Sequence, residues 1–247
     1  MRLLIDIGNS RIKWAAGHGE AVSAPASLAR PGADHAEAFE GAWGHLAPSG
    51  VVVCTVGGRQ SVRRLEAWVG ARWGLSVHEV RASERCGAIV NAYPDPGSLG
   101  ADRWANLLGA RAVLGAADAV IVDAGTAVTV DALRGDGRHL GGAILAGLSA
   151  TRCGLRAAAP ALPTATEEAP LPSDCTAGAI GGGTLIGLVG AVERVAAAVG
   201  KRLAEPRLLL AGGDAERLAP WLESRWRVDP LLTLRGLARA GEQACAG

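Results

Sequence analysis

The 247-residue chain is 49% hydrophobic and 20% charged, a balance that lets a globular protein bury a sizeable core as one large domain or two modest ones. A net charge of +1 argues against an electrostatic role on nucleic acid, which needs a basic face, and with seven Trp but one Phe and one Tyr there are few stacking platforms for single-stranded bases. The five scattered cysteines have no CxxC or Cys/His spacing that suits zinc and are expected to be reduced thiols of a cytosolic protein, and no secretory signal is expected at the N-terminus.

In chain order, the pattern predicts strand, turn, strand over residues 2–16, then a helix around 33–46. "VVVCTV" (51–56) reads as a buried β-branched strand, followed by Gly57-Gly58 and a helix through about Val69. A short strand near 76–80 leads to the loop "NAYPDPGSLG", after which Asp102 stands at the start of the helix "ADRWANLLGARAVL". Strands are expected at 119–123, 126–133 and 139–145, with a helix after Gly147 and a proline-rich loop over 159–173. A Gly/Ala-rich helix follows at about 174–199. "RLLLAGGDAERLAPWL" repeats the strand, Gly-Gly, helix order of 51–69, and "PLLTLRGLARAGEQ" reads as a C-terminal helix.

The 18 uncharged residues from Cys175 to Val192 reach the lower bound for a membrane-spanning helix. Six are glycine and no aromatic or basic anchors flank them, so a buried helix of a soluble protein is expected, not a membrane span.

Two stretches share one pattern. "LLIDIGNSRIKWA" (3–15) is an apolar run interrupted by Asp6, Gly8, Asn9 and Ser10; "VIVDAGTAVTVDA" (120–132) places Asp123, Gly125 and Thr126 correspondingly. Glycine permits a tight turn and close approach of a ligand, and exposed N–H groups with small hydroxyl or amide side chains donate to phosphate oxygens. A carboxylate repels bare phosphate, so a cation must lie between them, and oxygen ligands suit magnesium or an alkali cation. An ordinary hairpin with an Asx turn accounts for either turn alone; a matched pair points to two related halves facing one ligand. Gly212-Gly213, closing a strand, either receives a flat adenosine or simply turns the chain into a helix. The phosphate-loop G-x-x-x-x-G-K-[ST] and the dinucleotide G-x-G-x-x-G are both absent. In "GADR" (100–103), Asp102 is read either as a helix cap or, with Arg103 and the single tyrosine Tyr93 on the same loop, as part of a site for a small anionic substrate.

These motifs together resemble the type III pantothenate kinase family over essentially the whole chain. "DIGNSRIKW" resembles its first phosphate motif, "YPDPGSLGADR" its substrate loop, and "DAGTAVTVD" its second phosphate motif. "GGAILAGL" stands where the family has a Gly-Gly segment, and "LLLAGGD" is similar to its adenosine motif. The GADR spacing is the specific element, since the phosphate motifs alone indicate only the superfamily.

The resemblance implies an α/β protein of duplicated ribonuclease-H-like, actin-like ATPase fold, in two similar halves (1–115 and 116–247) with a nucleotide cleft between them. It implies ATP-dependent phosphorylation of pantothenate in the cytoplasm, with Mg2+ and a potassium or ammonium ion. Asp102 would be the general base, and Tyr93, Gly100, Ala101 and Arg103 would bind pantothenate, joined by Thr176 through a homodimer. ATP phosphates would lie over Asp6, Ile7, Gly8, Asn9, Ser10, Arg11, Ile12 and Lys13 and at Thr126, with the monovalent cation at Asp123. The chain departs from the family pattern at Ser10 (usually threonine), Ala146 (often proline) and Cys175 (commonly asparagine). The alternatives are a non-catalytic regulatory accessory factor on the same fold, or another small-molecule kinase of the superfamily.

Overall fold

The computed structural model describes residues 1–30, 35–165, 170–222 and 225–242. By compactness the chain falls into two units, one of residues 1–117, 134–140 and 231–247 and the other of residues 118–133 and 141–230.

The first unit opens with β1 (Arg2–Ile7), β2 (Arg11–His18), β3 (Ala21–Val22), β4 (Ala26–Ala29), α1 (His35–Trp43), β5 (Gly50–Thr55), α2 (Arg59–Trp73) and β6 (Val77–Glu79). Its sheet runs β3-β2-β1-β5-β6, with β4 also on β2; β1 is antiparallel to β2 and parallel to β5. Both central strands are buried on both faces, which is why they read as unbroken apolar runs and not as alternating ones. On one face Leu3, Ile5, Ile7, Val51 and Val53 pack with Leu65 and Val69 of α2 and with Phe39 and Trp43 of α1. Trp43 stacks on Phe39 at 4.9 Å between centroids and meets Trp14 and Trp68 edge-on, so the indoles that are scarce stacking platforms for nucleic acid are core here. Next come a small hairpin, β7 (Arg85–Cys86) and β8 (Ile89–Val90), and α3 (Ala101–Leu114).

The second unit repeats the plan. β9 (Ala119–Ala124), β10 (Ala127–Leu133) and β11 (His139–Ala146) precede α4 (Leu148–Ala158), α5 (Thr176–Gly200), β12 (Arg207–Ala211), α6 (Ala215–Leu218) and β13 (Trp226–Val228). The sheet order is β11-β10-β9-β12-β13, with β9 antiparallel to β10 and parallel to β12. Leu185, Leu188, Val189, Val192 and Ala196 recur at helical spacing on α5 and join Val120, Val122, Val128 and Val130 in the core. By length and composition alone α5 could cross a membrane; its apolar face is instead used against its own sheet.

The last helix, α7 (Leu232–Glu242), belongs to the first unit, as does the tip of the β10–β11 hairpin. The expected halves, 1–115 and 116–247, therefore differ from the compact units in where 116–117, 134–140 and 231–247 are assigned. α7 packs along α3, where Thr233 Oγ1 donates to the buried Asn106 Oδ1 at 2.8 Å. The two helices touch backbone to backbone. A Cβ on Gly109 would run into the Leu232 carbonyl, and one on Gly236 into the Ala105 carbonyl.

Of the expected elements, residues 33–34 of the first helix, 166–169 of the proline-rich loop and 243 of the last helix lie outside the described residues. The short strands β3, β4, β7, β8 and β13 were not expected; each has two to four residues, too few to show a period. Cys54, Cys153 and Cys175 are reduced, but Cys86 is disulfide-bonded, against the expectation of five reduced thiols. Sequence spacing cannot reveal which cysteines a fold brings together. Cys245 lies outside the described residues.

The glycine contact yields a test. Gly236→Ala is expected to cost at least ~2 kcal/mol, because backbone cannot retreat as a side chain can. Gly70→Ala, on α2 with nothing within 4 Å of the added methyl, should instead add about 0.5–1 kcal/mol. Chemical denaturation of both checks this; a Gly236→Ala protein as stable as wild type would show slack between the helices.

Candidate active site

Asp6 is the last-but-one residue of β1, and the chain turns through Gly8, Asn9 and Ser10 into β2. The Gly8 N–H donates to the Arg11 carbonyl at 3.0 Å. A Cβ there would stand 3.2 Å from the same oxygen, a tight contact that the turn would have to open slightly to accept. Asn9, Ser10 and Arg11 are exposed at the tip, and Lys13 stands opposite Asp6 in the strand register. Ile7 and Ile12 are each 1% exposed and pair across the hairpin. Their side chains are core, leaving only backbone to offer a ligand. On the neighbouring strand the buried Cys54 thiol donates to Asp6 Oδ1 at 3.5 Å.

The matching turn, between β9 and β10, is one residue shorter: Ala124 pairs with Val128, whereas Ile7 pairs with Ile12. Gly125 N–H closes it by donating to the Ala127 carbonyl at 3.1 Å, leaving Thr126 exposed and Asp123 half-buried. Two further glycines press on it from within the same unit. A Cβ on Gly147 would strike the Gly125 carbonyl. One on Gly212, where φ is +101°, would strike Ala124 backbone and lie 2.5 Å from Asp123 Oδ1. The Gly-Gly segment and the expected adenosine motif thus both bear on the Asp123 turn.

The loop before α3 is shaped by Asn91. Its Oδ1 accepts the Tyr93 N–H at 3.0 Å, while its Nδ2 donates to the Ser83 and Pro96 carbonyls. Asp95 caps a 3-10 turn over Pro96–Ser98, and Gly100, not Asp102, is the N-cap of α3. Ala101 and Asp102 lie in its first turn, where a carboxylate is favoured by the helix dipole. Asp102 Oδ1 accepts the N–H of Arg103 at 2.7 Å. A Cβ on Gly100 would come within 2.6 Å of that oxygen, so glycine at 100 gives the carboxylate its space. Arg103, 4% exposed, turns inward; its Nη1 donates to Tyr93 Oη at 2.9 Å and its Cζ lies 5.6 Å from the Tyr93 ring centroid.

The structure thus brings Tyr93, Gly100, Ala101, Asp102 and Arg103 together. Thr176 belongs to the second unit, exposed as the first residue of α5. Cys175 caps that helix, its sulfur accepting the Gly178 N–H at 3.4 Å. This bond, and next the Ser173 hydroxyl, hold the thiol below its ordinary pKa. Asn91, Cys54 and His139, which stacks on Tyr93, had not been singled out from sequence. Asn91 alone left a signal, an amide two residues before the loop tyrosine. A cavity of about 410 Å³ at the opposite end of β1, lined by Met1, Arg2, His18 and Glu242 among others, contains none of these residues. Among the described residues no group of three or more His, Cys, Asp or Glu could cage a metal.

Set beside known proteins, residues 2–198 match the family model described as type III pantothenate kinase. The chain is 36% identical over 250 residues to the type III pantothenate kinase of Nitrosococcus oceani, covering 98% of this chain and 94% of that one. Among solved structures it is similar, at TM-score 0.61 and 21% identity, to a Campylobacter jejuni protein described as a Baf family transcriptional activator, over 95% of this chain and 94% of that one. It is similar also to a Sinorhizobium meliloti protein described as a 2-dehydro-3-deoxygalactonokinase, at TM-score 0.61 and 17% identity over 98% of each chain. At these identities the structural likeness speaks for the fold alone, the duplicated ribonuclease-H-like plan of actin-like ATPases and sugar kinases.

Proposed function

The chain belongs to the type III pantothenate kinase family, and from that premise we propose how its residues carry out the ATP-dependent phosphorylation of pantothenate, the first step of coenzyme A biosynthesis. The observation that carries the assignment is the junction before α3, where Tyr93 and the inward-turned Arg103 sit beside the carboxylate of Asp102.

Asp102 is the general base. Its carboxylate orients the primary hydroxyl of pantothenate and takes its proton as that oxygen bonds to the γ-phosphorus and the bond to the ADP oxygen breaks. Gly100 and Ala101 form the backbone floor beside it, and Arg103 and Tyr93 hold the substrate through charge-assisted and hydroxyl hydrogen bonds. Residues 6–13 and Thr126 take phosphate oxygens of ATP through turn N–H groups and the Asn9, Ser10, Lys13 and Thr126 side chains.

ATP and a divalent metal are used by the family. The residues fit Mg2+ carried in with the nucleotide, since this ion needs one or two carboxylates plus substrate phosphates and no protein cage. Asp6 supplies such a carboxylate. When bound, Mg2+ neutralises charge on the phosphate oxygens. Asp123, at the turn that Gly147 and Gly212 press into shape, offers the oxygen ligand that suits a monovalent cation, potassium or ammonium. The regulatory alternative has no observation of its own in this chain.

A coupled assay with ATP and Mg2+ is expected to show turnover of pantothenate, in potassium or ammonium but at least about tenfold slower in sodium alone. Equal rates in sodium and potassium would remove the cation from Asp123, and turnover of sugars with pantothenate untouched would overturn the substrate.

Asp102→Asn keeps the size of the side chain and leaves the Gly100 cap unchanged. It should lower kcat by at least ~10²-fold with ATP still bound. Arg103→Ala should mainly raise KM for pantothenate. An Asp102→Asn enzyme running near the wild-type rate would exclude the base.

The active form is a cytoplasmic twofold homodimer, in which Thr176 reaches pantothenate through the partner subunit; this is supported by the exposed run of small residues along α5, Ala179, Gly183, Gly187 and Gly190. Sedimentation should give a dimer. A fully active monomer, or activity that pellets with membranes, would contradict it.

A further inference from the structure

His139 is 3% exposed, yet it lies 46 residues along the chain from the loop whose tyrosine it covers. Its ring is stacked on Tyr93, with centroids 6.0 Å apart and planes inclined by 17°. The hairpin tip that delivers it is tied down at several points within the first unit. Val90 N–H donates to the Gly137 carbonyl at 2.9 Å, and Arg111 Nη1 donates to the Gly135 carbonyl at 2.6 Å. Gly137, at φ +93°, lies so close to the Ala88 carbonyl that no side chain fits there. The tip is therefore fixed on β8 and α3, the two elements flanking the substrate loop.

Tyr93 is consequently held three ways: by Asn91 through its backbone N–H, by Arg103 at its hydroxyl, and by His139 on its ring. The hydrogen bond from Arg103 uses the phenol oxygen as acceptor. The hydroxyl proton is left to point elsewhere, and a cation on the oxygen makes that proton a better donor. A phenol able to rotate out of line would lose both the guanidinium and its aim.

We propose that His139 is a positioning residue of the pantothenate pocket: by stacking on Tyr93 it locks the phenol against Arg103, so that the Tyr93 hydroxyl is presented as a fixed donor to an acceptor oxygen of the substrate. The inference rests on the kinase reading of this site and adds to it a residue outside the loop and helix motif. The ring face is what matters, so an aromatic replacement preserves the effect and an aliphatic one of similar bulk does not.

Tyr93 is the only tyrosine, so protein labelled with 13C-tyrosine gives one ring signal that reports on this residue alone. Without substrate, His139→Leu should shift that signal through loss of the neighbouring ring current. In steady-state assays it should raise KM for pantothenate roughly 3- to 10-fold, the scale of one aromatic pair, with kcat and KM for ATP within about twofold of wild type. His139→Phe should return KM to within about twofold. An unshifted Tyr93 signal in His139→Leu overturns the stacking whatever the protein phosphorylates. Equal impairment in His139→Phe and His139→Leu, or an unchanged KM in His139→Leu, overturns the positioning role. A wild-type protein inert toward pantothenate would instead strike the kinase reading, while the ring signal still decides whether His139 holds Tyr93.

Discussion

The placement of α3 depends on a contact between two backbones. Gly109 of α3 and Gly236 of α7 let the helices approach until each glycine lies against a carbonyl of the other. Everything at the start of α3 inherits its position from that contact: the Asp102 carboxylate, the inward Arg103 and, through Arg103, the phenol of Tyr93. Packing at this range is stiff because backbone has no rotamers to change. The arrangement also explains why the chain returns at its end to the unit where it began. α7, near the end of the chain, is what seats the helix that bears Asp102 and Arg103.

The two units show how one plan can be put to different uses. Both have an antiparallel pair closing on an Asp-and-glycine turn, flanked by two parallel strands. In the first, the turn is one residue longer and the strand beside it places a thiol on the Asp6 carboxylate. In the second, the turn is shorter and braced by Gly147 and Gly212. A longer, exposed tip bearing Asn9, Ser10 and Arg11 suits the phosphate contacts proposed for it. A shorter, braced one suits holding a carboxylate in a set place. The duplication supplies two similar supports, and the residues added to each make them unlike.

Much of this was legible in the sequence because its signals are local. The buried runs 51–54 and 119–122, the glycine pairs after strands, and the 14-residue span of α3 are each read from neighbours in the chain. Residues 93–103 were legible for the same reason, since tyrosine, aspartate and arginine lie within one loop and one helical turn. His139 and Cys54 were not. Each acts on a site residue by lying across a strand register or at a hairpin tip, and a histidine or cysteine in a strand carries no mark of what it will face. Of the two readings the sequence leaves open for Asp102, the helix cap goes instead to Gly100, a turn geometry that composition does not distinguish. β13 escaped notice because three residues, one of them arginine, show no alternation; only its partner β12 makes it a strand.

The aromatic core of the first unit has an optical consequence. Trp14, Trp43, Trp68, Trp73 and Trp104 belong to that unit, and the first four lie in a chain of ring contacts running through Phe39. The other unit has Trp226, with its indole N–H on Glu193, and the half-exposed Trp221. Ultraviolet emission from this protein is therefore mostly a voice of one unit, with excitation passing among neighbouring indoles before it is released. A loss of order confined to the sheet around β9 would scarcely dim it, whereas loosening the packing of α1 on β1 would change its colour at once.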